Sequence, residues 1–164
     1  MFINFFKNKY NVGSALVEVM IACSIFSILS FSLISATNKG INLSNVALRQ
    51  VQASFLLEEG AESVKIIRDN NWSNITGFTN NTNYYTSFNT TTNTVSLSTT
   101  SNTIDNFFTR TIVFSPVSRD ANDDIATSGT VDSGTKKVTV TVSWPSAGVT
   151  LSKSLSFYIS NIFN

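Results

Sequence analysis

Histidine is absent from this 164-residue chain, cysteine occurs once (Cys23), proline twice, and charged residues make up only 13%, for a formal net charge of +1. Each scarcity closes off a class of function. Without histidine the chain lacks the commonest general base near neutral pH and the commonest metal ligand, so neither hydrolytic chemistry nor a metal centre is expected, and no cofactor is implied. A single cysteine cannot form an intramolecular disulfide. A charge this near zero raises no strong basic field, so nucleic acid is not an expected partner. The D-x-N-x-D stretch Asp120-Ala121-Asn122-Asp123-Asp124 has Ile125 where a calcium loop needs glycine and no glutamate at its twelfth position, and it reads as a solvated turn. Glu58, Glu59 and Glu62 sit one turn ahead of Lys65 and Arg68 and read as a charged helix face rather than an acid pair. No nucleophile with a base stands out, so the chain is not expected to be an enzyme.

The apolar content that is present, 42% of the chain, is distributed unevenly. From Ala15 to Ala36 the sequence reads ALVEVMIACSIFSILSFSLISA, with Glu18 as its one charge. About 22 residues at 1.5 Å rise span roughly 33 Å, close to one bilayer core. Ahead of it, MFINFFKNKYNVG carries Lys7 and Lys9, and positive charge before an apolar stretch keeps that end in the cytoplasm. The remainder is expected outside. Cys23 follows Met20-Ile21-Ala22 in a loose lipobox, but the apolar run continues to Ala36, so a small buried apolar role is expected rather than lipidation.

Beyond Ala36 the apolar residues become periodic. Val46, Ala53, Leu57, Ala61, Val64 and Ile67 form a helical stripe, and no proline interrupts Ala15 to Arg68. One continuous helix is expected, with Gly40 as the point where it bends or melts and Asp69-Asn70-Asn71 as its end. Thr76 to Asn106 is rich in Asn, Thr and Ser and reads as a loop-rich connection with one or two short strands such as Thr94 to Ser98. Its Tyr84, Tyr85 and Phe88 are expected in packing rather than in sugar binding, and its sequons Asn74-Ile75-Thr76 and Asn89-Thr90-Thr91 are chance products of composition. Period-two alternation predicts strands over Arg110 to Val117, Lys136 to Trp144 and Val149 to Ile159, the last two joined by a turn at Pro145-Ser146-Ala147-Gly148. The fold class is therefore α+β: a long N-terminal helix, membrane-spanning in its first half, packed against a small antiparallel β-sheet of three or four strands.

A short basic leader ending in glycine, followed by Gly13-Ser14-Ala15-Leu16-Val17-Glu18 opening an apolar helix, resembles the prepilin-type N-terminal cleavage/methylation motif of the type IV pilin and pseudopilin family. The continuation Val19-Met20-Ile21-Ala22 is similar to the minor pilins described as type IV pilus modification proteins (PilV-like). The resemblance covers about the first third of the chain and implies a pilin-like fold with a leader over 1–13, a transmembrane or filament-core helix over 14–36, its amphipathic continuation over 37–70 and a globular β domain over 71–164. It implies processing by a prepilin peptidase between Gly13 and Ser14, N-methylation of Ser14, and assembly through Glu18, whose carboxylate attracts the positive N-terminus of a neighbouring subunit. Leu16, Val19, Ile21, Ile25, Phe26, Ile28, Leu29 and Leu33 would supply the helix packing. The implied partners are the prepilin peptidase, other pilin subunits, the inner-membrane assembly machinery and the membrane, with the outer domain carried into a cell-surface filament. Ser14 stands where the family usually has a large apolar residue, and the missing mid-segment proline and C-terminal cysteine pair point toward a minor pilin or pseudopilin. A single-pass membrane-anchored surface protein with an uncleaved anchor and an adhesive or ligand-binding outer domain is the alternative.

Overall fold

A computed structural model describes residues 12–162. They form a long helix α1 (Val12–Asn70), a short helix α2 (Trp72–Thr76) and six strands, β1 (Tyr85–Asn89), β2 (Thr94–Ser98), β3 (Thr109–Arg119), β4 (Ile125–Ala126), β5 (Thr130–Ser146) and β6 (Val149–Ser160). The architecture is α+β, a long N-terminal helix with small antiparallel sheets. The chain divides into two compact units, Met1–Ala47 and Leu48–Asn164. Residues 1–11, where the basic leader with Lys7 and Lys9 is expected, lie outside the described residues.

As far as it is described, the first unit is helix alone. It does not melt at Gly40, which is helical like its neighbours. One glycine costs a helix interior about 1 kcal/mol, and with no proline nearby no backbone hydrogen bond is removed.

In the second unit α1 lies on a sheet of order β4-β3-β5-β6, every pair antiparallel. Strand alternation turns Val138, Val140, Val142 and Trp144 of β5 and Ile112 and Phe114 of β3 toward the helix. There they bury with Ala53, Leu57, Val64 and Ile67 of α1 in one core. Val46, expected on the same stripe, falls in the first unit and is exposed. Gly60 allows the close approach: a Cβ there would stand 2.8 Å from Val140 Cγ1 and 3.0 Å from Arg110 Cδ. Phe78 stacks on Phe114 with centroids 4.8 Å apart, and Tyr84 closes that end of the core, its hydroxyl accepting from the Thr79 N–H at 2.8 Å.

Three local features differ from the sequence expectation. The helix ends at Asn70 as anticipated, but Asn71 then caps α2, its side chain accepting from the Ser73 N–H at 2.9 Å. This is N-cap chemistry that a stretch of polar residues also offers to a loop. Pro145 and Ser146 belong to β5, paired with Thr150 and Val149, so the hairpin turn is Ala147-Gly148, both at positive φ as a two-residue primed turn requires. Finally, β3 and β5 run past the expected ends through a bulge, where pairing jumps from Pro116 with Lys136 to Val117 with Asp132.

Candidate functional site

Among the described residues, the apolar segment of α1 is exposed along its length. Leu16, Val19, Ile21, Ile25, Phe26, Ile28, Leu29 and Leu33 are all exposed, from 54% at Ile25 to 72% at Phe26. By length and composition this helix can cross a membrane. Its hydroxyl side chains find partners within the helix. Ser24, Ser27, Ser30, Ser32 and Thr37 each donate their hydroxyl to the carbonyl four residues back (Met20, Cys23, Phe26, Ile28 and Leu33) at 2.7–2.9 Å. A hydroxyl satisfied within its own helix removes most of the desolvation cost of placing it in an apolar medium. Cys23 is free and exposed on the same segment.

Glu18 is the exception. It is exposed and has no ion-pair partner among the described residues, and it sits within about two turns of the start of α1. Gly13 and Ser14 lie one turn before it, in the first turn of the helix. A Cβ added at Gly13 would meet nothing within 4 Å, so packing among the described residues does not account for a glycine there. Gly13, Ser14 and Glu18 thus lie on consecutive turns of one exposed helix, with Leu16 between them and the other seven apolar packing candidates following.

Comparison with protein-family models, with curated proteins and with solved structures found no match to this chain. The site is therefore read from its own chemistry.

In the second unit the remaining candidates resolve into structural roles. Glu62 pairs with Lys65 at 2.7 Å, and Glu59 accepts from Arg110 at 3.0 Å. The Asp120–Asp124 stretch is a tight turn in which Asp120 Oδ1 accepts from the Asn122 and Asp124 N–H groups. Among the described residues no group of three His, Cys, Asp or Glu is placed to hold a metal ion. Tyr84 is core, whereas Phe88 is exposed. Asn89 is spent on the β1–β2 turn, accepting from the Thr91 and Thr92 N–H groups.

Two arginines matter more than the sequence reading allowed. Arg110 is 4% exposed, yet its guanidinium donates to the Leu56 carbonyl at 2.9 Å, to Glu59 and to the Thr86 hydroxyl, tying α1, β1 and β3 together. The signal was available: Arg110 interrupts the buried alternation Arg110, Ile112, Phe114. Arg119 clamps the bulge, with Nε donating to Asp132 Oδ2 at 2.7 Å and Nη1 to the Asp123 carbonyl at 2.7 Å. Hydrogen bonds from Arg119 first, then Thr135 and the Gly134 N–H, hold the Asp132 carboxyl down from 3.8 to about 2. A shallow polar groove of about 660 Å³ lies over this clamp, and a more apolar one of about 340 Å³ lies between α1 and the β1–β2 hairpin above Arg110.

Proposed function

We propose that this chain is a non-enzymatic, pilin-like structural subunit, a minor pilin or pseudopilin of a type IV pilus or a type II secretion-like filament. α1 holds it in the cytoplasmic membrane with the β domain outside. A prepilin peptidase cuts between Gly13 and Ser14 and the new Ser14 amine is methylated. Subunits then pass from the membrane into the filament through contacts of the inner-membrane assembly machinery and of neighbouring helices. The observation that carries this reading is a lone carboxylate, Glu18, one turn beyond a Gly-Ser bond on an apolar helix exposed among the described residues.

Magnitudes support the pairing. A carboxylate at the centre of a membrane helix costs roughly 2.5–3.5 kcal/mol on insertion scales, and less near its end. An α-amine is protonated at neutral pH, and one placed about 4 Å from the carboxylate returns about 4 kcal/mol at an effective dielectric near 20. Attraction therefore offsets the cost of insertion. The amine does not exist until the bond after Gly13 is cut, which makes assembly conditional on processing.

Intact mass and N-terminal sequencing of the protein, from cells with and without a prepilin peptidase, test this reading. With the peptidase the chain begins at a methylated Ser14, and without it the leader is retained. A chain starting at Met1 in both would sink the pilin reading and leave an uncleaved, membrane-anchored surface protein.

A further inference from the structure

The four-stranded sheet ends in an open edge. β6 is its last strand, twelve residues long, and among the described residues nothing pairs with its outer side. The opposite edge is the two-residue β4. A long unpaired edge is a template for a strand of another molecule, and an antiparallel edge can pair with its own copy about a two-fold axis. β6 contains no proline and no bulge against β5 that would blunt it.

It contains one charge, and the charge is misplaced for an ordinary surface strand. Residues directly opposite in an antiparallel pair share a face. Leu151, Lys153, Leu155, Phe157 and Ile159 stand opposite Trp144, Val142, Val140, Val138 and Lys136. Lys153 is thus the lone charge on β6 in its helix-facing column, opposite the fully buried Val142. The neighbouring strand positions Ser152 and Ser154 face outward, where a lysine would meet water freely. Lys153, itself exposed, reaches along the edge toward the helix, and its Nζ donates to Ser54 Oγ of α1 at 2.7 Å.

We propose that Lys153 guards the β6 edge against pairing with β6 of a second copy. Edge pairing would bring the partner's strand alongside this column and bury the ammonium against a strand that carries no carboxylate to meet it, which is unfavourable. An apolar residue here would be compatible with the column and would remove that penalty. The guard leaves association to other surfaces of the molecule. It rests on the register and geometry of β6 alone and stands whether or not the pilin reading does.

Amide hydrogen exchange on the full chain in detergent micelles, followed over β6 across a range of protein concentrations, tests the guard. Wild type, Lys153→Arg and a control Lys137→Leu on the outward face of β5 should show β6 exchange independent of concentration. Lys153→Leu should slow the outward-directed β6 amides by at least about tenfold as concentration rises, since pairing hydrogen-bonds amides that are otherwise unpaired at the edge. If Lys153→Leu fails to fold, Lys153→Thr, short and β-favouring, carries the same expectation. Exchange in the folded variant that matches wild type at every concentration would overturn the proposal, as would concentration-dependent protection of β6 in the wild type.

Discussion

Gly60 is a helix-interior glycine that intrinsic propensity disfavours, and only the sheet beneath it supplies the reason. Alanine there would gain about 1 kcal/mol of helix propensity. Its Cβ would also stand 2.8 Å from Val140 Cγ1, a β-branched core side chain with no freedom to swing away. Overpacking costs about 1–3 kcal/mol, so Gly60→Ala should be destabilising by about 1 kcal/mol net, read as a lower denaturant midpoint with an unchanged slope. The same substitution at Gly40, where a Cβ would meet nothing within 4 Å, provides the contrast and should raise helix content without that packing cost. Composition and spacing do not separate these two glycines, because both stand in the same uninterrupted helical stretch. Arg110 and Lys153 were partly legible, since each places a charge in an apolar alternation. What each one touches was not, because Leu56, Glu59, Thr86 and Ser54 are distant in sequence.

Among the elements, α1 was the most legible, because an apolar run and an apolar stripe impose helical order without reference to the rest of the chain. The strands were found by alternation, and Thr94 to Ser98 and Val149 onward begin where expected. Their full length was not, because β3 and β5 continue through a bulge that depends on side chains from both strands. Arg119, Asp132 and Thr135 hold that bulge. The Asp132 carboxyl is depressed from 3.8 to about 2. Its contribution to stability is therefore complete above pH about 4 and lost as pH falls toward 2. In acid unfolding of the full chain in micelles, wild type should lose stability across that window. Asp132→Asn, less stable at neutral pH, should show a smaller loss there, so the two curves converge near pH 2.

For the whole molecule, the division after Ala47 separates a helix exposed along its apolar length from a unit that contains the buried core of the described residues. Among the described residues, the members of that core run from Ala53 to Ile159. Residues 48–164 expressed alone should fold without detergent and melt cooperatively, with hydrogen-exchange protection over β3 and β5, as for a small domain of this size. A non-cooperative melt would show that the first unit contributes to folding.

The sequence by itself determined the elements whose causes are local: the membrane-length apolar helix, its lone carboxylate after Gly13-Ser14, and the strand faces. Hydropathy and periodicity act over a few turns or a few residues and can be read without a partner. Tertiary structure alone decided which glycine is a contact point, what surrounds the buried Arg110, where the bulge lies, and that Lys153 stands on the free edge of the sheet. Those features arise between residues tens of positions apart, and only the folded chain brings them together.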